Sequence, residues 1–100
     1  MLHTEGLPRD FPPYLYLPCH EDVPDPAEAR LLLRQTRDGR TALFAYSALD
    51  RLRTCCGEGQ PWIVVPVTML EALQRLDPFQ LLLMDVVIPQ EYRRPAEVRA

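Results

Sequence analysis

The sequence predicts an α+β fold, with a single mixed β-sheet of about five strands and two main helices in the order β, β-hairpin, α, β, α, β. Three observations predict it. An Asp-Gly pair separates two apolar runs, which is the strongest short-range signal of a β-hairpin. Two segments with apolar residues at helical spacing follow the hairpin, and each leads into an apolar run short enough for a strand. We expect each strand-helix-strand passage to be a right-handed crossover between parallel strands.

The hairpin spans Leu31 to Tyr46 around Asp38-Gly39. A two-residue type I′ turn needs positive φ at both central residues, which this dipeptide tolerates. Such a turn sets a register in which Leu33 lies opposite Phe44. The face carrying these two side chains is therefore predicted to be core, and the other face is apolar only at its base.

The strand before the hairpin and the helix after it have clear end signals. Tyr14 to Leu17 is a short apolar strand that stops at Pro18, and proline is tolerated most easily at a sheet edge. Ser47 is placed to cap a helix over residues 48–56, and Gly57 is placed to end it.

The second half of the chain repeats the alternation of strand and helix. Trp62 to Val65 is apolar on both faces, as expected of a central strand. Thr68 and Glu71 form a capping box at the start of a helix that ends by Leu76, because Pro78 excludes Asp77 from the α region. The buried stripe of this helix is predicted to be Met69, Leu73 and Leu76. Phe79 to Val87 is the last strand, and it is again apolar on both faces.

The chain divides into a proline-rich arm at 1–13, an α+β domain at 14–87 and a charged tail at 88–100, with a helical turn predicted at 26–29. A length of 100 residues is enough for one domain without a stabilising disulfide or metal. The net charge of −3 gives no reason to expect nucleic acid as a partner. Neither a signal peptide nor a membrane span is predicted, so we expect a cytoplasmic protein. Its three cysteines are an odd number, which favours reduced thiols.

The reactive side chains show no catalytic or metal-binding pattern. Cys19, His20 and the adjacent Cys55 and Cys56 lack the paired spacing of a zinc site. Thiols at the end of a helix are also not activated, because the helix dipole there disfavours a thiolate. We therefore predict no catalytic residues, no metal and no cofactor.

The feature with the clearest functional meaning is the hairpin together with the surplus of apolar strand surface. Two helices on one face would leave the other sheet face uncovered, and exposed apolar surface commonly binds a partner. We predict a non-enzymatic protein-interaction module that binds a protein partner or a second copy of the chain. The predicted partner-binding residues are Leu32, Arg34, Arg37, Arg40 and Leu43. The alternative is a small-molecule-binding domain or enzyme with a cleft near Trp62 and Asp85, because strand ends of mixed sheets often line clefts.

The chain from Tyr14 to about Asp85 resembles the amino-terminal domain family of SseB, the serine-sensitivity enhancer, and particularly its small stand-alone actinobacterial relatives. The matching segments are Leu15 to Pro18, Asp38 to Ser47, Leu49 to Leu52, Gly57 to Trp62 and Val64 to Pro66. The resemblance implies an α/β-type fold. It carries no catalytic residues over to this chain, because the family has none established.

Overall fold

The computed structural model describes residues 11–21 and 30–93. Over these residues the predicted α+β class is confirmed. The strands are β1 (Tyr14–Pro18), β2 (Leu33–Gln35), β3 (Thr41–Ala45), β4 (Trp62–Pro66) and β5 (Leu81–Met84). The helices are α1 (Leu49–Cys56) and α2 (Leu70–Leu76), with 3-10 turns at Val67–Met69 and Gln90–Tyr92. The predictions for residues 1–10, 26–29 and 94–100 lie outside the described residues.

Within this part of the chain the strands form two sheets, where the sequence predicts one. One sheet has the order β2-β3-β5, with β2 antiparallel and β5 parallel to β3. The other is the antiparallel pair of β1 and β4. The predicted mixed pairing is thus present, but it is confined to the three-stranded sheet. The two predicted crossovers are wrong, because the strands on either side of α1, and those on either side of α2, lie in different sheets.

β1 links the two sheets through its second edge. Tyr16 and Tyr46 exchange two backbone hydrogen bonds of 2.9 Å, and the N–H of Leu32 donates to the carbonyl of Pro18 at 2.9 Å. Among the described residues β1 is an outer strand of a two-stranded sheet, which agrees with its predicted position near an edge, and isolated bridges also bond its second edge to the hairpin side. β4 was expected to be central, yet among the described residues β1 is its one neighbour. Pro66 within β4 has no backbone N–H to donate, which is compatible with an edge position.

The hairpin is present, but its loop contains three residues where two were predicted. The N–H of Thr36 donates to the carbonyl of Arg40 at 2.8 Å, and the N–H of Gly39 donates to the carbonyl of Thr36 at 3.0 Å. Gly39 has φ of +86°, whereas Asp38 does not have positive φ. This is a type I turn followed by a left-handed glycine, so the predicted type I′ turn is wrong.

The longer loop shifts the register by one residue, so the side chains of β3 turn to the opposite face relative to those of β2. Leu33 lies opposite Leu43, not opposite Phe44. Leu43 is completely buried, while Phe44 is half-buried among a different group of core residues. The prediction that Leu33 and Phe44 share a face is therefore wrong: Leu33 packs against the buried group that contains Leu43, and Phe44 lies on the other side, because a one-residue slip turns every side chain of β3 to the other face.

Two groups of buried side chains pack on opposite faces of the strands, as the alternation along β1 requires. The α2-side core consists of Leu15, Leu17, Cys19, Leu31, Leu43, Ala45, Ile63, Val65, Leu70 and Phe79. The α1-side core consists of Tyr46, Leu52, Cys55, Cys56 and Ile88, with Tyr16, Phe44 and Trp62 packed against it. The helices therefore cover opposite faces. The exposed large apolar side chains left on β1 and β4 are Tyr14 and Val64.

α2 ends at Leu76 as predicted, but its buried side differs from the predicted one. Leu70 is completely buried, whereas Met69 is 42% and Leu76 81% exposed. A 3-10 turn precedes the helix and no side chain caps it, so the capping box is not formed. The turn places Val67, Leu70 and Leu73 on one side at intervals of three residues, which moves the apolar stripe.

The segment after β5 also contributes to the core. Ile88, which the sequence assigned to the tail, is 4% exposed. Its N–H donates to the carbonyl of Cys55 at 2.9 Å, so this segment lies across the end of α1. The 3-10 turn that follows brings Tyr92 and Arg93 back beside the hairpin, where the side chain of Arg34 bonds to the carbonyl of Tyr92.

Candidate functional site

The five predicted partner-binding residues fall into three environments. Leu32 and Arg34 are half-buried and line a cleft beside β2. Arg37 and Arg40 are exposed in and next to the hairpin loop. Leu43 is completely buried in the α2-side core, so its assignment to a binding surface is wrong. The reason is the register shift, which turns Leu43 away from the face of Leu32 and Arg34.

The charge of Arg40 is balanced within the loop. Its Nε lies 2.8 Å from Oδ2 of Asp38, in an exposed ion pair. A hydrogen bond from the hydroxyl of Thr36 lowers the pKa of Asp38, and the N–H groups and charge of Arg40 act in the same direction. Arg40 is thus committed to the turn, while Arg37 remains an exposed positive charge at its tip.

The cleft has a volume of about 270 Å³, and we call it the β2 cleft. One wall is formed by Leu32 and Arg34 of the hairpin. The remaining lining residues come from the end of β1, the loop before β4 and the segment after β5, and they are Cys19, His20, Gln60, Tyr92 and Arg93. Among the described residues, four separate stretches of chain build the site, and none of them contributes a carboxylate side chain to its lining.

Gln60 fixes the floor of the β2 cleft. It is 4% exposed, and its Nε2 donates to the carbonyl oxygens of Cys19 at 2.8 Å and Pro61 at 2.9 Å. These two bonds tie the end of β1 to the start of β4. Buried amides held in this way lose little rotational freedom on binding, which favours a preformed site.

The sequence reading missed Gln60, Tyr92 and Arg93. Gln60 lies in a loop between a glycine and a proline, and the other two lie in the segment assigned to the tail. None has a local pattern that would indicate a site, because their proximity to Arg34 arises only from long-range pairing. The burial of Ile88 is the structural cause, since it returns the chain to the hairpin.

Cys56 and Tyr46 are buried together in the α1-side core. Burial raises the pKa of the Cys56 thiol, although the Tyr46 hydroxyl and the charges of Arg34 and Arg93 act against that rise. Burial likewise raises the pKa of Tyr46, whose hydroxyl donates to the carbonyl of Val86 at 2.7 Å. Neither group is an activated nucleophile at neutral pH.

These two groups should make the fold less stable in alkaline solution. The ordinary pKa values are 9.0 for the thiol and 10.0 for the phenol, and both are raised on folding. Above those values the unfolded chain releases protons that the folded chain keeps, so the free energy of unfolding falls as pH rises, by up to about 1.4 kcal/mol per pH unit for each group. We expect Tyr46→Phe to flatten this fall in urea unfolding measured between pH 7 and pH 10.5.

The matched control is Tyr92→Phe, because Tyr92 is 63% exposed. Its slope against pH should equal that of the wild type. The comparison uses slopes and not absolute stabilities, since Tyr46→Phe also removes a hydrogen bond. Equal slopes for Tyr46→Phe and the wild type would show that the phenol does not titrate differently on folding.

Trp62 and Asp85, the residues of the alternative hypothesis, make separate structural contacts. Trp62 packs against Tyr16, with ring centroids 5.6 Å apart. The carboxylate of Asp85 accepts hydrogen bonds from the N–H of Ser47 at 2.9 Å and from its hydroxyl at 3.0 Å. The hydroxyl of Ser47 therefore holds Asp85, and α1 has no side-chain cap, contrary to the prediction. Neither Trp62 nor Asp85 lines the β2 cleft.

The comparisons add no further assignment. A scan of protein-family models, a search of curated proteins and a search of solved structures each find no match. The resemblance to the SseB amino-terminal domain therefore stays a prediction. In residues 11–21 and 30–93 no three histidine, cysteine, aspartate or glutamate side chains cluster as a metal site would require. The described helices are all too short or too polar to cross a membrane.

Proposed function

We propose that this chain is a non-enzymatic, cytoplasmic protein-interaction module of the SseB-like type, which binds a partner through the β2 cleft and the adjoining hairpin. The observation that carries the proposal is the composition of the cleft. It combines the aliphatic side chain of Leu32, the aromatic ring of Tyr92 and the guanidinium group of Arg34. Tyrosine and arginine are the residue types that most often contribute binding energy at protein interfaces.

The dimensions of the site favour a segment of protein over a small metabolite. Its volume of about 270 Å³ is at or below the lower end of the range of small-molecule pockets, which begins near 300 Å³. Tyr92 at its rim is 63% exposed, and the exposed Arg37 extends the positive surface along the hairpin. A peptide segment can occupy the cleft and contact this rim at the same time.

The test is selection of binding peptides from a random phage-displayed library on the purified chain. We expect selected peptides to shift the backbone amide resonances of Leu32, Arg34 and Tyr92 in the wild-type protein. Leu32→Ala should weaken binding by about tenfold, the usual scale of a buried interface contact. The control is Arg75→Gln, because Arg75 is exposed on α2 and lies outside the cleft lining.

Light scattering over a range of protein concentrations measures the mass of the chain in solution, and so tests whether the partner is a second copy. A dimer whose interface maps to the β2 cleft would support the proposal with the chain as its own partner. A monomer for which selection yields no peptide, or peptides that perturb resonances away from the cleft, would overturn it.

A further inference from the structure

Two arginines approach the β2 cleft from different parts of the chain. Arg34 lies on β2, and its Nη2 donates to the carbonyl of Tyr92 at 3.2 Å. Arg93 follows the 3-10 turn, and its Nε donates to the carbonyl of Ile88 at 2.7 Å. Within the described part of the chain, each guanidinium is thus held by one backbone carbonyl. Since the group has five N–H donors, most of them remain for a ligand.

Neither charge is neutralised by the described residues. The ion pairs of this part of the chain join Arg40 to Asp38 and Arg51 to Asp85. Arg34 and Arg93 are half-buried and line the same cleft, and the lining residues within 11–21 and 30–93 include no carboxylate. Two like charges in a partly dehydrated site repel each other, and a bound anion would relieve that repulsion.

The charges of the two arginines act on one buried thiol. Arg34 and Arg93 both lower the pKa of Cys56, which is 4% exposed in the α1-side core. The side chain of Arg93 also crosses the end of α1, since a Cβ atom placed on Gly57 would lie 3.6 Å from its Cδ. Arg34 and Arg93 are thus neighbours in one cleft, since both line it and Arg34 bonds to the carbonyl of the residue that precedes Arg93.

We propose that Arg34 and Arg93 form an anion subsite that binds a carboxylate or phosphate group on an acidic peptide segment of the partner. The planar guanidinium forks match the two oxygens of a carboxylate or phosphate and bind them with charge-assisted hydrogen bonds. Leu32 and Tyr92 line the same cleft and would contact apolar residues next to the acidic one. That the anion is carried on a peptide rests on the proposed function, whereas the subsite itself does not.

The first experiment uses the wild-type protein and needs no substitution. Inorganic phosphate and acetate are titrated at constant ionic strength against chloride, and the Nε–H resonances of the arginines are followed. We expect phosphate to shift the Arg34 and Arg93 resonances and to leave that of Arg75 unchanged. Shifts that are equal for all arginines would overturn the subsite.

The second experiment measures the fluorescence anisotropy of three labelled peptides: one with two adjacent glutamates between leucines, its glutamine counterpart and a phosphoserine version. The glutamate and phosphoserine peptides should bind at least about tenfold more tightly than the glutamine peptide, and the difference should shrink with added salt. Arg34→Gln and Arg93→Gln should each abolish the preference, and Arg75→Gln should preserve it. Arg34→Lys keeps the charge without the fork, so it should retain only part of the preference.

The outcomes separate the two proposals. Peptides that bind equally well with glutamine would overturn the anion subsite and leave the interaction module standing. Phosphate that shifts the two arginine resonances while no peptide binds would retain the subsite for a small free anion and overturn the interaction module. An acidic preference that survives both arginine-to-glutamine substitutions would place the anion elsewhere and overturn the subsite.

Discussion

Leu43→Ala is expected to lower the free energy of unfolding by about 2–5 kcal/mol, the range for removing a buried leucine side chain from a packed core. Leu43 is completely buried in the middle strand of the three-stranded sheet, between β2 and β5. It packs with Leu31 and Ala45 in the α2-side core. Its neighbours belong to hydrogen-bonded strands, which cannot close the cavity without breaking their pairing. Equilibrium urea unfolding followed by circular dichroism measures the loss.

The same substitution at Leu76 is the control, because that leucine is 81% exposed at the end of α2. Leu76→Ala should change the free energy of unfolding by no more than about 0.5 kcal/mol. The pair of variants also tests the hairpin register. If Leu43 lay on the open face, as a two-residue loop requires, the two substitutions would have similarly small effects.

Asp85→Ala is expected to destabilise the fold by about 2–4 kcal/mol, from lost charge-assisted hydrogen bonds and added backbone strain. The carboxylate holds both the N–H and the hydroxyl of Ser47, and Oδ2 lies 3.6 Å from Nη1 of Arg51. Asp85 also has φ of +56°, in the left-handed region that aspartate tolerates better than alanine does. One side chain thus joins the end of β5 to the connection between β3 and α1.

Asp85→Asn separates these contributions, since asparagine tolerates the left-handed region and keeps one oxygen acceptor. It should recover at least half of the stability that Asp85→Ala loses. A cycle with Ser47→Ala measures the coupling of the two side chains, which we expect to be about 1 kcal/mol. If Asp85→Ala left the unfolding curve unchanged but abolished the binding of a small molecule, the alternative hypothesis of a ligand-binding aspartate would replace this structural role.

The sequence contained enough information for the elements but not for their exact pairing. Asp38-Gly39 predicts a hairpin, yet the same dipeptide fits a two-residue or a three-residue loop, and glycine takes positive φ in both. The three-residue loop gives the register in which Leu43 is buried in the α2-side core, a long-range contact that the dipeptide does not indicate. In the same way Pro78 predicts where α2 ends, while the 3-10 turn at its start, which rotates the apolar stripe, has no comparable signal.

The candidate site was predictable only on its hairpin side. Leu32 and Arg34 were identified because a strand pattern gives their common face. Arg93 lies 59 positions beyond Arg34 in the chain, and it reaches the cleft only because Ile88 is buried on α1. Periodicity describes neighbours along one element, so it carries no information about a contact between two such distant segments.

The position of β1 between two sheets also has a consequence for the nascent chain. β1 is synthesised before the residues that bond to either of its edges, since its partners are Tyr46, Leu32 and the whole of β4. β3 likewise receives its parallel neighbour only when β5 has been made. On the ribosome, therefore, the pair of β1 and β4 cannot form until Pro66 has left the exit tunnel, and one edge of β3 stays unpaired until Met84 has left it.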